Sequence, residues 1–408
     1  MTGPILHLRG HGKNDANHLG RRWPSVSCIW YDVQDFRFDI NMIPSRTDRK
    51  FSKILKEARK PDNTISYDPE KDGYVLFSDH HKGDASAADD FQKNAPLYDI
   101  ALSYYQKKGF RLIVLGDNEE LWENRYDEIL PHYKDLIEKE ISMAPESNEG
   151  KKIRVWGNHD KEVSLRRFRR YCRSHHIHAL DSVQHREGIC LGDGIFLIHG
   201  HQGRFFDDKA WRVSRWAVKI VWKTIQKIFR IGIDGPAENF HISDDLELKY
   251  YRWARKNRVL LICGHTHRAI FGSLTHFDRL QIEIKSLKRR LEKADGRDRE
   301  KLEREIERKS HQVERILNRR LGMSPKSFSR KPGWPVPCYF NDGCCGYTNG
   351  ITCIELEKDA IRLIKWQRQT QKRIVLVEGR ISLLIIYIKE RRPIDEQLEP
   401  SLKEYPLG

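Results

Sequence analysis

Short apolar runs alternate with helix-patterned polar stretches from Tyr74 onward. Residues 74–78 (YVLFS), 111–115 (RLIVL), 153–156 (IRVW), 195–198 (IFLI) and 259–262 (VLLI) have strand length and end at Gly, Asp, Asn or His. That is the texture of buried strands. Helical periodicity follows the first three, over 95–107, 128–141 and 161–174. The alternation predicts an α/β (α+β layered) domain with helices covering sheets. One further helix is predicted over 48–59. Strand texture returns after Pro332 in 338–342 (CYFND), 351–357 (ITCIELE) and 361–366 (IRLIKW). The run ISLLIIYI, 381–388, reads as a strand or a short core helix.

Two segments break this rhythm. Residues 209–230 form a predicted amphipathic helix with seven basic residues (209, 212, 215, 219, 223, 227, 230) and no acidic one. Its tryptophans 211 and 222 fall on the face opposite Arg215, Lys219 and Lys223. Residues 277–321 carry Leu280, Ile284, Leu287 and Leu291 at near-heptad spacing, then Leu302, Ile306, Val313 and Leu317 after a turn at 295–298. Such seams predict a helical hairpin, which could also mediate oligomer formation. The resulting organisation is an N-terminal extension (1–70), a layered domain (71–370) and a C-terminal tail (371–408). The domain holds two insertions, a basic helical cap (205–257) and the hairpin (277–322).

Composition narrows the class. With 408 residues, 38% hydrophobic and 32% charged, the chain can build a sizeable core. No apolar run approaches the ~20 residues of a spanning helix, and the N-terminus lacks the apolar core of a secretory signal. A cytoplasmic location is the expectation. The formal net charge of +16 calls for acidic partners such as phosphorylated substrates, nucleic acid or anionic lipid. Eight cysteines without a CxxC pair predict free thiols rather than a structural zinc site.

The chemistry sits where strands end. Asp79 and His81 follow the first strand, Asp117 the second, and Asn158, His159 and Asp160 the third. His199 and His201 follow the fourth, His265 and His267 the fifth. Residues two apart in extended chain share a face, so each pair is expected to converge on one cleft beyond the strand ends. Imidazoles, carboxylates and one amide form a mixed N/O set suited to Mn, Fe, Zn or Co.

The series D-x-H, G-D, G-N-H-D, H-G-H and G-H-x-H resembles the calcineurin-like metallophosphoesterase superfamily, over about 74–366. The resemblance implies a β-sandwich flanked by helices and two divalent metal ions, Mn foremost. One ion would take Asp79, His81, Asp117 and His267. The other would take Asp117, Asn158, His199 and His265, with Asp117 bridging. It also implies a phosphohydrolase that cleaves a phosphoester or pyrophosphate bond by attack of a metal-held hydroxide. His159 would stabilise charge or protonate the leaving oxygen, with Asp160 as its orienting partner. His201, Arg215, Lys219 and Lys223 are expected to bind substrate, and Glu120 to bond the loop backbone. His80 is expected to point away from the site, and Asp84 and Asn341 to be structural.

The G-D-x-x-E and G-N-H-D blocks, with a helical insertion before G-H-T-H, are also similar to the UDP-2,3-diacylglucosamine pyrophosphatases. That similarity points to a lipid-linked or nucleotide-type substrate. The basic, Trp-bearing helix suits peripheral contact with an anionic membrane at its cytoplasmic face. The charge equally suits a nucleic-acid phosphodiesterase, and a non-catalytic scaffold on the same fold is the third reading.

Overall fold

The computed structural model describes residues 44–174, 180, 183–202, 240–292, 294–318, 335–394, 398 and 403–404. The basic helix expected over 209–230, with Arg215, Lys219 and Lys223, lies outside these residues, as does Cys28.

The chain is a mixed α/β protein whose described residues form two six-stranded mixed sheets. The first strands are β1 (Thr64–Ile65), β2 (Gly73–Phe77), β3 (Arg111–Val114), β4 (Lys152–Val155) and β5 (Val183–Arg186). Then come β6 (Gly188–Leu191), β7 (Ile195–Ile198), β8 (Leu260–Cys263), β9 (Ala269–Ile270) and β10 (Tyr339–Asp342). The last are β11 (Gly350–Glu357), β12 (Ala360–Gln367), β13 (Arg373–Arg380) and β14 (Lys403–Glu404). One sheet runs β1-β6-β7-β8-β10-β9 and the other β14-β13-β12-β11-β2-β3. A parallel bridge from Leu115 to Val155 continues the second sheet into β4, which pairs in parallel with β5.

Alternation along the strands explains how the sheets stack. Tyr74 and Leu76 of β2, Ile113 of β3, and Ile354 and Leu356 of β11 share one apolar cluster with Phe196, Leu261 and Phe340 of the other sheet. Their neighbours Val75, Phe77, Leu112, Val114 and Cys353 face the opposite way. There they meet α2 (Ala95–Lys107) and α3 (Tyr126–Met143), through Tyr98, Leu102, Tyr105, Ile129 and Ile137.

The first sheet is covered by α1 (Arg46–Ala58) and α5 (Phe240–Asn257), while α4 is Arg166–Ser174. Ser45 and Asp48 form a capping box that starts α1. Its buried Phe51, Ile54, Leu55 and Ala58 follow the 3.6-residue period. Phe51 stacks on Tyr250 at 5.3 Å and meets Trp253 edge-on at 5.2 Å. Residues 44–58, assigned by sequence to an extension, are therefore core. Helix α5, assigned to the cap insertion, is core as well.

The stretch from 371, assigned to a tail, also belongs to the core. Strand β13 pairs along β12, and α8 (Ile381–Glu390) buries Ile381, Leu384, Tyr387 and Ile388. The hairpin is present as α6 (His276–Leu291) and α7 (Gly296–Asn318), joined by an ion pair between Glu283 and Lys309. Its root is tied to the core, where Arg279 donates to the Phe271 carbonyl at 2.7 Å. No described helix is long and apolar enough to cross a membrane.

Candidate metal site

Strands β2 and β3 run parallel side by side in one sheet, with β4 bridged in parallel beyond β3, and β7 and β8 run parallel in the other. Their carboxyl ends therefore open at common edges, and each delivers a loop with imidazole, carboxylate or amide groups. The loop after β2 zips onto the loop after β3. Asp79 N–H donates to Gly116 O at 3.1 Å, His81 N–H to Asp117 O at 2.9 Å and Lys82 N–H to Asn118 O at 2.9 Å. The sheets also meet here, since His265 N–H donates to Asp79 Oδ2 at 2.9 Å.

Three groups of side chains offer ligand atoms that lie within 4.8 Å of one another: Asp79, His81 and His267; His81, Asp117 and His159; and Asp117, His199 and His265. His81 and Asp117 each belong to two groups, so the three form one continuous cluster. Inside it, polar atoms approach without hydrogen-bonding. His267 Nε2 is 3.0 Å from Asp79 Oδ1, and His199 Nε2 is 3.0 Å from Asp117 Oδ2. His81 Nε2 stands 3.8 Å from Asp79 Oδ1 and 4.0 Å from Asp117 Oδ2. Asp79 Oδ1, His81 Nε2, Asn158 Oδ1 and His199 Nε2 are buried without a hydrogen-bond partner. Buried polar atoms are rarely left so. Three of them, on Asp79, His81 and His199, belong to the ligand groups and fit metal ions that would complete their coordination.

The opposite ring nitrogens are anchored. His199 Nδ1 lies 2.8 Å from the Leu115 carbonyl, which can only accept, so Nδ1 carries a proton and Nε2 is the nitrogen turned inward. His81 Nδ1 lies 2.9 Å from Glu120 Oε2, and His159 Nδ1 lies 2.8 Å from Glu120 Oε1. Carboxylate-supported imidazoles are the usual arrangement around bound metal. Trp122 stacks on His159 with ring centroids 3.9 Å apart and donates through Nε1 to Asn158 O at 2.8 Å.

Two expectations need correcting here. Glu120, rather than Asp160, is the carboxylate on the His159 ring, and its side chain serves two imidazoles rather than loop backbone. Asp160 instead accepts from Gly157 N–H at 2.6 Å and Asn118 N–H at 2.9 Å, which ties the β4 loop to the β3 loop. The cause is reach: Asp160 starts a 3₁₀ turn (Lys161–Ser164) that aims its short side chain back at backbone. His159 also falls within one of the three ligand groups, whereas the family resemblance left it outside the metal set.

The paired residues converge for a different reason from strand alternation. Asp79, His81, Asp117, His265 and His267 all have positive φ, from 51° to 68°. This left-handed region is uncommon outside glycine and clusters at functional sites. The loops are turns, and His265 and His267 go to different groups. Glycines allow the close approach: a Cβ at Gly157 would overlap the Asp117 carboxylate, and one at Gly264 would overlap Ser78 and Asp79.

Electrostatics follow from the crowding. Burial pulls the His199 imidazole down, but Asp117 and Asp79 outweigh it and hold its pKa at about 9. Burial and then the Asp117 charge push Asp160 up to about 7. Glu120 is drawn down to about 2, burial being outweighed by His159 and His81. His267 is raised by Asp79 against burial, with solvent screening part of that attraction because 44% of its side chain is exposed.

The remaining expected residues are placed as follows. His201 is buried 5.4 Å from the His199 ring and 5.3 Å from Trp156, with Nδ1 unpartnered. His80 packs between Tyr98 and Phe91, away from the cluster. Asp84 caps its own exposed loop through Ser86 N–H. Asn341 binds Gly264 O at 2.6 Å. The seven described cysteines are free and buried, and none joins a ligand group among the described residues.

Fold and site together define a mixed α/β protein whose buried His/Asp clusters can hold metal. No protein-family model matches the sequence, and no curated protein matches it either.

Proposed function

We propose that the protein is a binuclear metal-dependent phosphohydrolase of the calcineurin-like metallophosphoesterase type, its two facing sheets being that family's sandwich. The observation that carries this reading is the double membership of Asp117, which offers its carboxylate both to His81 with His159 and to His199 with His265. Asp79, His81 and His267 would hold one ion, and Asn158, His199 and His265 the other, with Asp117 between. When bound, two divalent ions supply a lowered water pKa and neutralise charge on phosphoryl oxygens.

The chain's own groups do the rest. Glu120 orients His159 through Nδ1, and Trp122 fixes its ring plane, so that Nε2 can meet a leaving oxygen. Asp160 locks two ligand loops together through backbone N–H groups. His201, deep beside His199 and kept neutral by burial, is suited to hydrogen-bond a substrate oxygen. The +16 charge supports an anionic substrate, lipid-linked or nucleotide-type, with nucleic acid as the second reading. A matrix of Mn, Co, Zn and Mg against a monoester, a diester, a UDP-linked lipid, DNA and RNA tests the proposal. Metal uptake with turnover of one class supports it; metal-free protein inert towards all of them supports a scaffold.

A further inference from the structure

Ser78 lies between two carboxylates. Its Oγ is 2.5 Å from Asp79 Oδ2 and 2.7 Å from Asp342 Oδ1, and all three side chains are buried. A hydroxyl has one proton. It can donate to one carboxylate, and the other contact then needs a proton from the carboxyl side. Asp79 Oδ2 already accepts from His265 N–H at 2.9 Å, and Asp79 Oδ1 faces the imidazoles of His267 and His81. Asp79 Oδ2 is therefore the acceptor of the Ser78 hydroxyl proton.

Asp342 has the opposite surroundings. Its Oδ2 is buried without a hydrogen-bond partner. A carboxylate oxygen left so is costly, whereas the carbonyl oxygen of a neutral acid costs far less. Asp342 ends β10, which runs parallel to β8, and so reaches Ser78 from the other sheet.

We propose that Asp342 is a positioning residue held as the neutral acid, donating to Ser78 Oγ so that Ser78 in turn donates to Asp79 Oδ2. The relay fixes the Asp79 carboxylate with Oδ1 turned into the metal cluster. Burial, followed by the charge of Asp79, pushes the Asp342 carboxyl well above the usual carboxylate range, in the same sense. The metal-positioning half of this inference rests on the proposed metal site; the protonation half does not.

Two readouts separate them. Infrared difference spectroscopy of metal-free protein at pH 7 is expected to show a buried carboxylic-acid carbonyl band that disappears in Asp342→Asn. Because Asp160 can give a similar band, a spectrum that Asp342→Asn leaves unchanged overturns the proposal, whether or not the chain takes up metal. Mn²⁺ titration gives the second readout. An asparagine amide can donate to Ser78 as the acid does, so Asp342→Asn is expected to keep wild-type affinity. Ser78→Ala and Asp342→Ala are expected to lose about 10–100-fold, the usual effect of removing a ligand's support. Should Asp342→Ala not fold, Ser78→Ala carries the same comparison. Loss of affinity in Asp342→Asn as large as in Ser78→Ala overturns the relay, since it would mean that Asp342 acts through charge.

Discussion

His199 Nε2 and Asp117 Oδ2 face each other at 3.0 Å, while the far nitrogen of the same ring is anchored on the Leu115 carbonyl. A proton can occupy that space, and so can a metal ion, and the two compete. The competition fixes a pH dependence. With its pKa held at about 9, His199 keeps the proton at pH 7 in metal-free protein. Metal binding must eject it. Apparent Mn²⁺ affinity is expected to rise with pH up to about 9, with proton release in calorimetry that depends on the buffer's ionisation enthalpy. The metal-free fold should move the other way. A folded pKa above the unfolded value of about 6.5 adds stability that is complete below that value and lost as pH rises towards 9. Tighter metal and a weaker metal-free fold over the same interval is the signature. Binding without proton release would place His199 outside the ligand set.

Glu120 and His159 separate support from chemistry. Glu120→Gln is expected to weaken metal binding about 10–100-fold, because it loosens the His81 ring. His159→Ala should keep two metals and slow turnover by about 10²–10⁴-fold, the contribution of a positioned acid. Metal analysis of both variants checks this. Loss of metal from His159→Ala would make its membership of a ligand group literal.

These two residues also mark how far the sequence could be read. The convergence of Asp79, His81, Asp117, His199, His265 and His267 was legible because each follows an apolar run, and parallel strands open at one edge. The partner of His159 was not. Glu120 lies 39 positions away, and the contact of the β3 loop with the β4 loop, where Leu121 N–H donates to His159 O at 3.2 Å, brings it there. The fold divides in the same way. Helix α2 matches its predicted span, since amphipathic pattern and N-terminal Pro96 are local signals. The core role of β13 and α8 is not local, because it depends on pairing with β12. The short strands β5, largely polar, and β6, apolar, have four residues each and carried too little pattern to be seen.

Beneath the ligand loops lies a buried ionic network. Lys82 Nζ reaches Glu140 Oε1 at 2.6 Å and Asn118 Oδ1 at 2.5 Å, and Arg154 Nη2 contacts both Glu119 oxygens at 3.0 Å. Lys82, Asn118 and Glu119 belong to the two loops that carry Asp79, His81 and Asp117. Removing one partner strands the other as an uncompensated buried charge. Glu140→Ala is therefore expected to cost about 3–5 kcal/mol, read as a lower urea midpoint. An unchanged midpoint would show that solvent reaches Lys82.

The hairpin offers a test of the boundary between core and insertion. Replacing residues 284–316 with a Gly/Ser linker retains the Thr275 and Asp278 capping box and the Arg279 contact with Phe271 O. Soluble protein with wild-type metal uptake is expected. A change in oligomeric state on deletion, read by light scattering, would assign the hairpin to self-association. Failure to fold would place it in the core.

The central claim is that one site uses two ions bridged by Asp117 to hydrolyse a phosphoester. The direct measurement is turnover of a chromogenic phosphodiester as Mn²⁺ is titrated into metal-free protein, with bound metal counted at each step. Activity should rise to saturation at two ions per chain, and Asp117→Ala should retain neither the metals nor the activity. Saturation at a single ion, or unchanged turnover in Asp117→Ala, would contradict the binuclear assignment.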